Sequence, residues 1–269
     1  MSGLNLISLF NRLTPKEASV RRVARDVAYG AHERHRYDLY APKSLRDPLP
    51  VLVFFYGGGW YSGSKDDYVW IGHALAAMGY VVAIPDYRVA PEAVYPTFLQ
   101  DNAAAIEHLI AHVGDWGGDA ARLGVSGHSA GGYAAAMMAL DRRYFGPKRG
   151  RSIIRACAGI SGPYDFYPFD VPESRNAFGH WPRPVETQPV SHVARTDTAF
   201  LLLQSRADTV VGTHNAVNLK ACLDVARADV TLKLYDGLSH QDMAAALSIP
   251  FRWKGSVYRD LRAFLERAL

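Results

Sequence analysis

The sequence predicts an α/β fold: a mostly parallel central sheet flanked by helices, with a small cap or lid segment. Three observations predict it. Short apolar runs alternate with stretches of helical length, the pattern made by parallel strands joined through right-handed crossovers. Runs such as Val51–Tyr56 are apolar throughout rather than alternately, as strands covered on both faces must be. A glycine-flanked serine stands at a predicted strand-to-helix junction, at Gly127-His128-Ser129-Ala130-Gly131.

In chain order, residues 25–29 and 36–40 read as a short antiparallel lead-in. Strands follow at 51–56, closed by glycines, and at 80–84, stopped by Pro85. Further strands are predicted at 122–126, 153–160, 200–204 and 230–235. Helical stretches fall near 66–78, 97–112, 130–141, 213–227 and 256–268. Residues 162–198 break this rhythm with six prolines and with Tyr164, Phe166, Tyr167, Phe169, Phe178 and Trp181. Long irregular insertions in compact domains are usually functional, and the aromatic density predicts a cap that folds down; the alternative is a surface excursion with its own small cluster. Residues 1–20 carry Leu4, Leu6, Ile7, Leu9, Phe10 and Leu13, predicting an amphipathic helix that packs on the domain or forms part of a lid. With neither internal repeat nor linker, residues 1–269 read as one domain.

Composition narrows the function. With 49% apolar and 21% charged residues, the chain is no disordered tail. Its net charge of +4 comes from scattered residues, apart from Arg21-Arg22 and a patch of Arg142, Arg143, Lys148, Arg149 and Arg151. Such a patch reads as a solvated loop, not as the basic stripe of a nucleic-acid binder. The apolar runs are far shorter than the ~20 residues of a bilayer span, and the N-terminus lacks the charged region and cleavage site of a signal peptide. Cys157 and Cys222 stand alone and far apart, which suits the cytoplasm and predicts neither a disulfide framework nor a metal site. Glu107-His108 and His112 have a metal-like helical spacing but no third ligand, so a solvated pair is the preferred reading.

The chemistry centres on Ser129. A G-x-S-x-G between a strand and a helix of small residues is the pattern of a nucleophile elbow, whose turn lifts the hydroxyl above the sheet and aims the next N–H, that of Ala130, at the substrate. A serine hydroxyl needs a base, and in this chain order the base comes last. Beyond residue 200 only His214 and His240 remain. His214 opens a helix, whereas His240 lies in a loop just past the last strand, so His240 is chosen. Asp208 follows the strand at 200–204 closely and is the acid placed to hold the imidazole tautomer; Asp197, Asp224 and Asp236 are misplaced for that role. Tyr56-Gly57-Gly58-Gly59-Trp60, at a strand end, frees backbone N–H groups to converge on an oxyanion. As a phosphate loop it fails, because Ser64-Lys65 replaces the Lys-Ser/Thr pair.

These residues resemble the α/β-hydrolase-fold serine esterases, specifically the hormone-sensitive-lipase-like and kynurenine-formamidase-like branch. The resemblance rests on Gly57-Gly58-Gly59-Trp60, Gly63-Ser-Lys-Asp-Asp-Tyr68, Asp86-Tyr-Arg-Val-Ala-Pro-Glu92, Gly127-His-Ser-Ala-Gly-Gly132 and Ser161-Gly-Pro-Tyr-Asp165, with Asp208 and His240. It implies an α/β-hydrolase fold, catalysts at Ser129, Asp208 and His240, an oxyanion hole from the N–H groups of Gly58, Gly59 and Ala130, and no cofactor. Two positions depart from the family pattern. Tyr56 replaces a histidine, and its ring either packs or offers a hydroxyl to the oxyanion. His128 replaces the aspartate common in hormone-sensitive-lipase-like enzymes and is expected to point away from the serine.

The expected protein is a cytoplasmic serine carboxylesterase for short-chain or aryl esters. Its predicted partner is a small-molecule ester, with no nucleic acid, membrane or metal, and a homodimer through an edge strand or the last helix is the assembly left open. Trp60, Tyr61, Tyr164, Phe166 and Trp181 are the expected pocket residues. The rival readings are an arylformamidase with the same triad and a catalytically silent hydrolase fold that binds a ligand.

Overall fold

A computed structural model describes residues 6–44, 48–145 and 152–269. The chain runs α1 (Leu6–Leu13), β1 (Val20–Ala28), β2 (Arg36–Pro42), β3 (Leu49–Phe55), α2 (Val69–Ala76), β4 (Val81–Pro85), α3 (Thr97–His112), β5 (Gly118–His128) and α4 (Ala130–Leu140). It continues through α5 (Arg142–Phe145), β6 (Ile154–Ile160), α6 (Pro172–Phe178), β7 (Ala199–Ser205), α7 (His214–Val225), β8 (Val230–Tyr235), α8 (His240–Ala245) and α9 (Val257–Ala268). The sheet order is β1-β2-β4-β3-β5-β6-β7-β8. β1, β2 and β4 pair antiparallel, and β4 through β8 pair parallel. This is the α/β-hydrolase architecture expected from the sequence.

Continuous apolar runs end up where both faces are covered. All residues of β4 and β7 are buried, whereas β8, at the sheet edge, is mostly half-buried. α9 shows the other pattern: Val257, Leu261, Phe264 and Leu265 are buried along one face, and burying each such side chain contributes about 1.5–3 kcal/mol.

Two features of the topology position the site. Since β3 and β5 to β8 are parallel, the segments leaving them emerge along one edge of the sheet. The chain also passes from β3 to β4 on one side and then to β5 on the other, so the strand order reverses at β3, the place at which open α/β sheets generally bind ligands. The register aligns Phe55 with Gly127. The glycine run after β3 therefore lies beside the serine turn after β5.

Residues 162–198 fold down onto the domain. The amides of Tyr164 and Asp165 donate to Asn215 Oδ1, each at 2.8 Å, and Phe166 N donates to Gln188 Oε1 at 2.7 Å. Tyr95 N donates to Ala177 O at 2.9 Å, tying α6 to the loop before α3. At the other end, α1 docks through Phe10, which meets Trp70 edge-on and stacks on Phe251. Asn11 bonds Asp66 O and Trp70 N. Lys148, Arg149, Arg151 and Leu4 lie outside the described residues, and Arg143 is paired with Asp141. No helix among the described residues is long and apolar enough to cross a membrane.

One local expectation needs correcting. His240 is not in a loop but is the first residue of α8, because Ser239 and Asp242 form a reciprocal capping box that starts the helix there.

Candidate functional site

Ser129 joins β5 to α4 with φ 57° and ψ −125°, a conformation that costs an L-residue about 1–3 kcal/mol. The surroundings impose it. Ser129 N donates to Ile160 O at 2.9 Å, and Tyr133 N donates to Ser129 O at 3.1 Å. The flanking glycines permit the close approach: a Cβ on Gly131 would lie 1.9 Å from Phe55 O, and one on Gly127 would lie 2.2 Å from Gly131 O. The serine is half-buried between buried neighbours.

His240 Nδ1–H donates to Asp208 Oδ2 at 2.8 Å. Both side chains are nearly inaccessible. The other carboxylate oxygen accepts the amides of Val210 and Val211, each at 2.9 Å. Burial alone would raise the carboxyl pKa. The hydrogen bonds from His240, Val211 and Val210 override it and hold Asp208 down at about 2. Asp208 is therefore an acceptor only at neutral pH, so His240 donates to it through Nδ1, and Nε2 is the ring's other polar atom. The acids passed over in the sequence are engaged elsewhere: Asp197 with Ser152, Asp224 with Lys220 and Asp236 with Arg206.

The loop after β3 turns sharply. Gly58 and Gly59 have φ of 137° and 59°, and a Cβ on Gly58 would meet Ser62 O at 2.2 Å. The Gly58 carbonyl accepts the amides of Tyr61 and Ser62, which folds the loop on itself. The N–H groups of Gly58, Gly59 and Ala130 have no acceptor among the described residues. Gly57 packs against the serine turn, its Cβ position 3.0 Å from Ser129 Cβ.

Tyr56 packs and does not offer its hydroxyl to this loop. It donates to Asp86 Oδ1 at 2.7 Å and accepts from Arg34 at 3.0 Å. Its ring is stacked between Tyr68 and Tyr87.

The expected pocket residues separate. Trp60 stacks on Phe166 at 5.7 Å and meets Phe178 and Tyr133 edge-on at 4.8 and 5.7 Å. Tyr61 is exposed beside Gly59. Trp181 packs one ring further out, on Tyr95. Tyr164 turns inward and is buried, its hydroxyl filling the space left by Gly159 and Gly162. His108 bonds the Tyr37 hydroxyl and lies against His112; among the described residues no group of three ligands is placed to hold a metal.

The sequence profile of the BD-FAE family matches residues 37–223, more than two thirds of the chain. The chain belongs to the BD-FAE family. This BD-FAE chain is 29% identical over 245 residues to a probable isoprenylcysteine alpha-carbonyl methylesterase ICME of Oryza sativa subsp. japonica, covering 83% of the chain and 59% of that protein. It is 40% identical over 139 residues to carboxylesterase NlhH of Mycobacterium tuberculosis strain H37Rv, covering 50% of the chain and 43% of that protein. The chain spans about half the length of the curated relatives it matches. Esterase B of Lactobacillus rhamnosis, in a C6-C4 SN3 inhibited crystal structure, shares the fold with a TM-score of 0.82 at 20% identity, covering 97% of this chain and 92% of that one.

Four residues beside this candidate site of the BD-FAE chain were not assigned to it from the sequence. Gln204, the polar end of an apolar strand, donates to Asp208 Oδ2 at 3.3 Å and to Val211 O at 2.9 Å. Tyr133 and Phe178 complete the ring cluster around Trp60. His128, expected to point away, lies with its ring 4.6 Å from that of His240 and donates from Nε2 to the His240 carbonyl at 3.0 Å. Burial, with the neighbouring His240, pushes the His128 pKa down to about 3.

A neutral buried His128 has a consequence for stability. Its folded pKa lies below its unfolded one, so between about pH 6.5 and 3 the unfolded chain binds a proton that the folded chain does not, and stability falls with pH across that window. His128→Gln keeps an amide donor but does not titrate. Between pH 7.5 and 4.5 the wild type should lose about 2–3 kcal/mol more than this variant in urea unfolding. Equal losses would show that His128 does not stay neutral in the folded protein.

Proposed function

We propose that this chain is a serine carboxylesterase acting on short-chain or aryl carboxylic esters through an acyl-enzyme. The observation that carries the reading is the His240–Asp208 hydrogen bond at the same sheet edge as the strained Ser129 turn. In this reading His240 Nε2 takes the Ser129 proton as Oγ attacks the carbonyl. The N–H groups of Gly58, Gly59 and Ala130 receive the negative charge of the tetrahedral intermediate. His240 then returns the proton to the leaving alcohol, and water repeats the sequence to release the acid. Every proton is accounted for by the chain's own residues and water.

The relatives support ester over amide chemistry, since their names are those of a methylesterase and a carboxylesterase. The rings of Trp60 and Phe166 supply an apolar wall for a short acyl or aryl group. The unpaired cysteines, one buried, support the cytoplasm as compartment.

The test compares kcat/KM for p-nitrophenyl esters from acetate to octanoate with that for N-formylkynurenine, using Ser129→Ala as the blank. Acetate to butyrate should be fastest, with a fall at longer chains. Preferential deformylation would establish the arylformamidase instead, and no turnover above the blank would leave a ligand-binding fold.

A further inference from the structure

A carboxylate that the proposed mechanism does not use lies beside the Gly58–Gly59 loop. Glu173, on α6, has its Cγ 3.5 Å from the Cβ position of Gly59, and the Tyr61 ring edge borders the same point at 2.7 Å. Bond lengths then place the carboxylate within ~9 Å of the Gly59 nitrogen. Glu173 is half-buried, and its carboxylate has no ion pair or hydrogen bond among the described residues. The arginines that follow it in the chain are engaged: Arg175 donates to Asp170 O at 3.0 Å, and Arg183 pairs with Glu186 at 2.8 Å. Position is secured from below, since the Tyr95 amide holds Ala177 and Phe178 packs on Trp60.

An unpaired negative charge here opposes the oxyanion that the site must hold, and so slows uncharged esters. The opposition is offset when the substrate itself carries a cation near the scissile carbonyl. Tyr61 adds an exposed aromatic surface at the same spot, which suits a quaternary ammonium. We propose that Glu173, with Tyr61, is a specificity-determining residue that favours esters bearing a cationic group in the alcohol part. The proposal rests on the carboxylesterase reading above.

Acetylcholine and 3,3-dimethylbutyl acetate have the same shape and differ in charge, so the ratio of their kcat/KM values isolates the electrostatic part. At low ionic strength Glu173→Gln should lower the cation-to-neutral ratio about fivefold, the size expected for one charge a few ångströms from another in a partly solvated site. Glu173→Asp should keep most of it. In the wild type the same ratio should fall as salt is raised, a measurement that needs no variant to fold. An unchanged ratio in Glu173→Gln, or a salt-independent wild-type ratio, overturns the proposal while the esterase reading stands. Failure of wild type to exceed the Ser129→Ala blank on p-nitrophenyl acetate overturns both.

Discussion

Replacing Ser129 with Ala should lower kcat for p-nitrophenyl acetate by ~10⁵-fold or more, with KM little changed. The estimate follows from triads whose nucleophile acts as a unit with its base, where a single loss removes nearly the whole advantage. What survives should be the small rate supported by the free N–H groups of the oxyanion loop alone. The fold should not suffer, because Ala keeps the same strained backbone and the hydroxyl has no hydrogen-bond partner among the described residues. Ser129→Gly sharpens the prediction. Glycine adopts φ 57°, ψ −125° without penalty, so this variant should be equally inactive yet more stable than Ser129→Ala by about 1 kcal/mol. Chemical denaturation of the two variants measures that difference. Substantial turnover in both would remove Ser129 from the mechanism.

Asp208→Asn should cost ~10⁴-fold in kcat with little change in the position of any side chain. The reason is the tautomer. The Asp208 carboxylate can only accept, which obliges His240 to carry its proton on Nδ1. An amide at this position can turn its NH₂ toward Nδ1, which moves the imidazole proton to Nε2 and, in the proposed mechanism, removes the base. The amide also cannot stabilise the imidazolium that forms during attack. One oxygen must still accept the Val210 and Val211 amides, and this favours the NH₂ of the variant facing His240. A rate loss far larger than the modest loss of stability expected at neutral pH, where the carboxylate's hydrogen bonds stabilise the fold, is the expected signature. A loss of less than tenfold would assign the orienting role to another acid.

The fold, and the element ends that carry the candidate site residues, were legible in the sequence for one physical reason. Both are properties of single elements. Continuous apolar runs such as Phe200–Leu203 announce buried parallel strands, and residues at the ends of parallel strands emerge on one edge. Ser129, Asp208 and Gly58 could therefore be placed from their position relative to the nearest strand. Even the helical start at His240 had a local signal, Ser239 with Asp242, though the glycine before it suggested a loop.

The remaining placements depend on contacts between distant segments. His128 meets the carbonyl of a residue 112 positions later, and no periodicity encodes that distance. Tyr56 gives its hydroxyl to Asp86 because β3 and β4 end side by side. Tyr164 and Phe166 are two residues apart in one aromatic segment, yet one fills the gap over Gly159 and the other stacks on Trp60. Glu173 reaches Gly59 because α6 is held beneath by Tyr95. Sequence patterning by itself determined which residues lie at the end of which element and what chemistry each can perform. Only the tertiary structure decided which ends meet, because burial and hydrogen-bond satisfaction are settled between elements, whereas patterning reports the preferred face within one.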